Sequence, residues 1–242
     1  MKAQMLNNQD RSLSVECNSG YSIGIAARAV NSIDYSRSKN EIRSEEKSLV
    51  SRISGVDRSA VFFLDQEHAD SIIAVNKPDL ADTYCAGIAD ALVTATPGLC
   101  LVIRTADCVP VMLIDPIRKV IAAIHSGWKS SALGISAKVV KQLTTEYSSD
   151  PANIIAYILP SIGPESYQVQ WDVAQNFADC YTESGSGYYL NLWQSVESSL
   201  RTAGVMEENI FNCHTCTLKN NREFFSHRAG DAGRNLNFIL MK

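Results

Sequence analysis

The chain has 242 residues, 45% of them hydrophobic and 20% charged, with a formal net charge of −4. That is enough chain and apolar content to fill a sizeable core in one large domain or two small ones. The mild acidity and the lack of a strongly basic segment argue against a nucleic-acid surface, and no apolar run reaches membrane-spanning length.

The opening stretch MKAQMLNNQDRS is polar and lacks the apolar run of a signal peptide, so a cytoplasmic protein is expected. Seven cysteines (Cys17, Cys85, Cys100, Cys108, Cys180, Cys213 and Cys216), an odd number, read as reduced thiols rather than a disulfide framework. Within residues 1–57, YSIGIAARAV reads as a strand and IDYSRSKNEIRSEEKSLVSRI as a polar segment running into a helix. AVFFLDQEHAD reads as a short buried strand ending in a polar loop, and ADALVTATPG leads to a second β-type run, LCLVIRTAD.

Next comes TADCVPVMLIDPIRKVIAAIHSGW, two apolar runs around a polar turn. Asp115-Pro116-Ile117-Arg118 carries a type I turn signature. With those four residues as the turn, Cys108 falls directly opposite His125 on one face, with Cβ atoms roughly 5 Å apart. That spacing suits two ligands of one metal, or a thiolate–imidazolium pair. Asp107 before the cysteine and HSGWK after the second strand add polar, Gly-containing strand ends, where sites are commonly built.

Farther on, SSALGISAKVVKQLTTEY has apolar residues at 132, 135, 139, 140 and 143, a helical spacing with Ser130 or Ser131 as N-cap. SSDPAN is a turn and IIAYILP a buried strand. WDVAQNFADCY and LWQSVESSLRTAG read as helices, the second ended by Gly204, and FFSHRAGDAGRN as a loop. Strands and helices mix without regular βαβ alternation. The expected fold is therefore a single α/β or α+β domain over residues 1–242, with a mixed sheet and helices on its faces.

ADALVT…PG, TADCVPV, AAIHSGWK and LPSIGPESYQV, then more weakly CHTCT and FFSHRAGDAGR, resemble the YfiH-like family. Its members have been labelled multicopper polyphenol oxidases (laccase domain), purine nucleoside phosphorylases and peptidoglycan editing factors. The likeness spans about residues 61–170, and residues 1–57 are divergent. It implies a sandwich fold related to the catalytic domain of cytotoxic necrotizing factor. It also implies a mononuclear zinc site of two histidines and a cysteine: His68, Cys108 and His125 here. The implied activity is phosphorolysis of adenosine, inosine, guanosine and methylthioadenosine with inorganic phosphate as co-substrate, and adenosine deamination beside it. Where the family usually has Gly-Trp-Arg-Gly, this chain has Gly127-Trp128-Lys129-Ser130, which keeps the charge and loses the bidentate fork. The family's Gln-Val-His-Gly is Gln66-Glu67-His68-Ala69. Both changes bear on substrate preference and rate more than on metal binding.

Two imidazoles, a thiolate and an open fourth position make a catalytic-type zinc site, able to lower the pKa of bound water toward 7. The His-x-Glu with Cys-x-x-Cys of known zinc deaminases is absent. Asp107 is the candidate for proton transfer, or else a carboxylate holding a neighbouring ligand. Lys129, Arg228, Arg104 and Arg234 are candidates for the phosphate, with Lys129 and Arg228 favoured. Tyr167 and Phe225 are candidates to stack on a purine. Cys213 and Cys216 enclose His214 in a C-x-x-C read as packing, and His227 either lines the site from the FSHR loop or, the favoured reading, is a surface histidine. Three other functions stand beside this one. A thiol hydrolase or amidase would use Cys108 as nucleophile and His125 as base. A non-catalytic binder of a cell-wall precursor would turn nothing over. A multicopper oxidase needs more histidines than four, although copper could occupy the zinc site in vitro.

Overall fold

The computed structural model of the protein describes residues 6–7, 13–17, 20–79, 84–185 and 187–242. Most of the polar stretch 1–12 and the Cys17 side chain lie outside the described residues.

The amino-terminal part supplies β1 (Leu6–Asn7), β2 (Leu13–Cys17), β3 (Tyr21–Ala26), helix α1 (Lys39–Ser54), β4 (Val61–Asp65) and β5 (Ile72–Ala74). The middle supplies β6 (Cys85–Ile88), β7 (Ala91–Thr94), β8 (Cys100–Thr105), β9 (Val109–Asp115), β10 (Val120–Ser126), α2 (Trp128–Ala132), α3 (Ile135–Tyr147) and β11 (Ile155–Ile158). The remainder supplies β12 (Gln168–Val169), α4 (Trp171–Ala174), β13 (Tyr181–Ser184), β14 (Gly187–Leu190), α5 (Leu192–Thr202), β15 (Ile210–Asn212) and β16 (Asn235–Met241). A seven-stranded sheet runs β1-β2-β3-β16-β8-β4-β6, a six-stranded sheet β15-β11-β9-β10-β7-β5, and a small sheet β12-β14-β13. Both large sheets are mixed: β4 runs parallel to β6 and β8, β11 to β15, and β5 to β7.

Strand parity explains the layering. Met112 and Ile114 of β9, with Ile121 and Ala123 of β10, pack against Ile23, Ile25, Leu101 and Ile103 of the other sheet. The alternate residues Val111, Leu113, Val120 and Ala122 pack instead against Val139 and Leu143 of α3 and Val196 and Leu200 of α5. On the outer face of the first sheet, Val61, Val102 and Phe238 meet Leu49 and Val50 of α1. Strands buried on both faces read as unbroken apolar runs, as VPVMLID and VIAAIHS do. The result is the expected α+β sandwich, with two mixed sheets face to face and helices outside. At one close approach, a Cβ on Gly24 would stand 2.2 Å from the Phe238 ring.

Three local readings are corrected. In the hairpin, Asp115 pairs with Val120 and His125 with Pro110, so Cys108 and His125 are diagonal neighbours, not direct partners. The loop is two residues longer than expected. Asp115 Oδ1 accepts the amide N–H groups of both Ile117 and Arg118, and Lys119 adopts a left-handed φ of 55° before β10 begins. A two-residue lengthening preserves face parity, so both side chains stay on the inter-sheet side. The helix expected from Ser130 is two helices, broken at Gly134 (φ 75°), and its first cap is Gly127, not Ser130 or Ser131. The helix expected over 171–181 lasts only through Ala174. After it the amides of Phe177 and Cys180 bond three residues back, to Ala174 and Phe177. Ala174, Phe177 and Cys180 are all buried, and their period of three is that of 3₁₀ turns, not of an α-helix.

Candidate metal centre

Four chain segments meet at one end of the sandwich. β4 ends in the 66–69 loop, and β8 ends at Thr105, where the chain crosses from one sheet to the other through 106–108. β10 ends at Ser126, just before Gly127, and residue 90 precedes β7. The crossing is tight: Asp107 takes a left-handed φ of 84° and His68 one of 62°. The nitrogens and sulfur of His68, Cys108 and His125 all lie within 4.8 Å of one another. The Cys108 Sγ to His68 Nε2 distance is 3.7 Å, close to the ~3.6 Å edge of a tetrahedron with usual zinc–nitrogen and zinc–sulfur bonds. A Cβ on Gly127 would stand 2.7 Å from the His68 ring and 3.0 Å from Cys108 Sγ, so glycine leaves room for the group. These residues fit a transition metal held by two imidazoles and a thiolate. Among the described residues they are the only such three-donor group.

Asp90 organises this triad. It is fully buried. Oδ1 accepts from His125 Nδ1 at 2.7 Å and from the His68 amide at 3.0 Å, and Oδ2 accepts from the Ala69 amide at 2.7 Å. Its carbonyl accepts the His125 amide at 2.8 Å. One aspartate thus aims the His125 ring and holds the strained His68 loop. With Nδ1 donating to Asp90, His125 Nε2 is left to face the thiol and the metal position. Burial works against charge on Cys108, but the adjacent His125 imidazolium and His68 hold its thiol down to about 6. Burial likewise opposes charge on His125, yet the Cys108 thiolate and Asp90 raise it to about 9. Both shifts favour the thiolate–imidazolium form of the pair. Sequence reading missed Asp90 as a functional residue. Its one local signal was an aspartate set directly before a buried strand.

The triad borders a cavity of about 430 Å³. Ile162, Leu192, Trp128 and Tyr167 form apolar and aromatic walls, while Lys129, His227 and Arg228 supply its polar rim. Burial, with Cys108 beyond it, pushes the Tyr167 phenol up to about 12, so it stays a hydrogen-bond donor at neutral pH. The Arg228 guanidinium lies 5.1 Å from the Tyr167 ring centroid and donates to the Gln168 carbonyl. The Lys129 ammonium lies 5.5 Å from the Trp128 ring centroid. Neither cation has a carboxylate partner among the described residues.

Asp107 faces this cavity, but its oxygens are engaged. Oδ1 accepts from Thr217 Oγ1 at 2.6 Å, and Oδ2 from Ser226 Oγ at 3.0 Å and the Arg228 amide at 2.8 Å. Other expected residues lie elsewhere. Arg104 sits 3.7 Å from Glu46, the Arg234 side chain bonds the Ala232 and Gly233 carbonyls, and Phe225 packs beneath Arg28. Cys216 is buried and its sulfur accepts the Gly163 amide; His214 packs edge-on to Trp193. His227, read as a surface histidine, is exposed and lines the cavity.

No helix among the described residues is long and apolar enough to cross a membrane. Residues 15–242 match the family model described as multi-copper polyphenol oxidoreductase laccase. The chain is 30% identical over 187 residues to the purine nucleoside phosphorylase YfiH of Shigella flexneri, covering 74% of this chain and 73% of that one. It is 34% identical over 178 residues to a purine nucleoside phosphorylase of Deinococcus radiodurans, covering 71% and 66%. In three dimensions it is similar to the crystal structure of a hypothetical protein YfiH from Bacillus licheniformis. There the TM-score is 0.87 at 28% identity, over 98% of both chains. The chain therefore belongs to the multi-copper polyphenol oxidoreductase laccase family, the YfiH-like proteins whose motifs its sequence carries.

Proposed function

We propose that the protein is a zinc-dependent purine nucleoside phosphorylase, acting in the cytoplasm on adenosine, inosine, guanosine and methylthioadenosine, with adenosine deamination as a side activity. The observation that carries this reading is an open two-histidine, one-cysteine centre on a cavity rimmed by two cations without carboxylate partners. The names of the relatives point the same way. In phosphorolysis the glycosidic C–N bond breaks, a phosphate oxygen bonds to the anomeric carbon, and a proton passes to the departing base. His68, Cys108 and His125 would hold the ion, which supplies Lewis-acid stabilisation of developing charge. Lys129 and Arg228 bind the phosphate. Trp128 and Tyr167 flank the base, and Tyr167 donates a hydrogen bond. Of the two roles open to Asp107, the engaged oxygens favour holding: it fixes the Arg228 backbone beside the Cys108 turn.

The test is chromatography of adenosine incubated with the protein, with and without phosphate, beside His125→Ala. Phosphate-dependent adenine release, lost in the variant, is expected. Inosine without a phosphate requirement would make deamination the main activity. No product in either tube would overturn the nucleoside reading. A second reading, a thiol hydrolase using Cys108 and His125, is favoured by their ionised pairing without metal. Activity that survives chelation and is abolished by thiol alkylation would select it.

A further inference from the structure

Past Arg228 the cleft continues into a second chamber of about 480 Å³, which shares Trp128, Tyr167 and Arg228 with the metal chamber. Arg228 therefore stands between the two. Among the described residues, its guanidinium makes one hydrogen bond, to the Gln168 carbonyl. Beyond it the chemistry changes. Gln168, Gln170 and Asp172 line the second chamber, and the Asp172 carboxylate is its one charged group besides Arg228. The side chains of these three residues make no hydrogen bond or ion pair with any described residue. The first chamber offers cations to an anion. The second places a guanidinium and a carboxylate along one path, lined with free amides.

A guanidinium followed by a carboxylate is complementary to a carboxylate followed by an ammonium, the two charges of an α-amino acid. We propose that this second chamber is a subsite for an amino-acid tail, so that the substrates extend to purine nucleosides bearing an α-amino acid on the 5′ carbon. The idea rests on the nucleoside reading above. With the base in the metal chamber, a 5′ substituent is the part of a nucleoside that lengthens it away from the base, toward Arg228. The tail carboxylate meets the free edge of Arg228, its ammonium meets Asp172, and Gln168 and Gln170 take the remaining hydrogen bonds. The reaction is unchanged. The glycosidic bond breaks, phosphate bonds to the anomeric carbon, the proton leaves on adenine, and the product is a tailed ribose 1-phosphate.

Two matched probes separate the tail from the rest. 5′-Methylthioadenosine carries the thioether alone, and S-adenosylhomocysteine carries the same thioether with an amino acid. Calorimetric binding of each is measured on the metal-loaded protein, on Asp172→Asn and on Asp172→Lys. Asp172 is exposed, so neither variant endangers the fold. Wild type should bind the tailed probe about fivefold tighter, as expected for a partly exposed ion pair. Asp172→Asn should shrink the preference to what the Arg228 contact supplies, and Asp172→Lys should weaken the tailed probe further, with methylthioadenosine binding unchanged. Equal binding of the two probes by wild type, or a preference undiminished in Asp172→Asn, overturns the subsite and leaves the nucleoside reading standing. Failure to bind either probe overturns the nucleoside reading and the subsite together.

Discussion

Asp90 and Glu46 are equally buried, both 0% exposed, yet their surroundings push their acidities in opposite directions. Burial opposes ionisation of Asp90, but His125 and the amides of His68 and Ala69 outweigh it and hold the carboxyl below its usual range. At Glu46 burial wins and the carboxyl is raised, although Arg104, the Tyr84 and Tyr35 hydroxyls and Arg234 all favour the charged form. The Tyr84 and Tyr35 hydroxyls donate to the two Glu46 oxygens at 2.7 and 3.2 Å, and Arg104 lies 3.7 Å away. That cluster ties α1 to β8 and closes on itself. The Asp90 cluster instead turns its donors outward, so the free faces of two imidazoles and a thiolate converge beside a cavity. Burial and charge are common to both clusters. Unspent donors aimed at open space belong to one.

The largest effect that could break this contrast is the pH dependence of metal binding. Metal can bind only after the ligands lose their protons. With Cys108 near 6 and His125 near 9, the free site holds one exchangeable proton on this pair between those values. Zinc affinity, measured against a competing chelator, should therefore rise about tenfold per pH unit from pH 6 to 9. It should level off above 9 and steepen below 6, where Cys108 takes up a second proton. A flat profile between 6 and 9 would mean that the pair carries no proton in that range, so that Cys108 and Asp90 do not raise His125.

Asp90→Asn comes next. The amide turns N–H donors toward the amides of residues 67–69 or toward His125, so donor faces donor. Loss of such an outer carboxylate should weaken zinc affinity about 10- to 100-fold, with a stability cost on the order of 1–3 kcal/mol. Unchanged affinity in the chelator titration would show that the triad is held by packing alone.

Glu46→Gln tests the closed cluster. A carboxyl raised in the folded state contributes stability that is full below the unfolded value, near 4.5, and lost as pH rises through the folded one. Denaturant melts of wild type and Glu46→Gln should thus diverge above that value, wild type losing ground relative to the variant as pH rises. Zinc affinity should stay the same. A shared pH slope would mean that Glu46 titrates normally, and altered zinc binding would mean that the two clusters are coupled. A path exists for that coupling, since the Gln66 side chain bonds both the N–H and the carbonyl of Arg104, two residues before His68 in the chain.

Local patterns made much of this legible. The apolar runs at 61–65, 100–105, 109–115 and 120–126 announced their strands, and the helices at 39–54 and 192–202 follow from spacing and end signals. Cys108 and His125 could be placed on one face because an error of two residues in loop length leaves parity intact. The loop length itself depends on Asp115 bonding its own turn and on a left-handed Lys119, which no apolar pattern encodes. Asp90 was not legible as a site residue because its partners lie 22 and 35 positions away. Glu46 lies within the charged run RSEEKS, and only the packing of α1 reveals it as buried.

Ser130 offers the smallest and cleanest test. It stands close to the site in α2, and it is fully buried. Its hydroxyl has no hydrogen-bond partner among the described residues, and it is absent from the cavity wall. A buried, unpaired polar group that does not face a ligand should cost stability and supply no function. Alanine removes the hydroxyl, keeps the Cβ and suits a helix better. Ser130→Ala should therefore stabilise the fold by about 0.5–1 kcal/mol, a rise of roughly 1–4 °C in the melting temperature for a chain of this size. Zinc affinity and nucleoside turnover should not move. A lower melting temperature would show that the hydroxyl is satisfied by an ordered water. Lost turnover would place Ser130 among the groups that face the ligand, and polarity near the centre, rather than its aim, would then distinguish the two clusters.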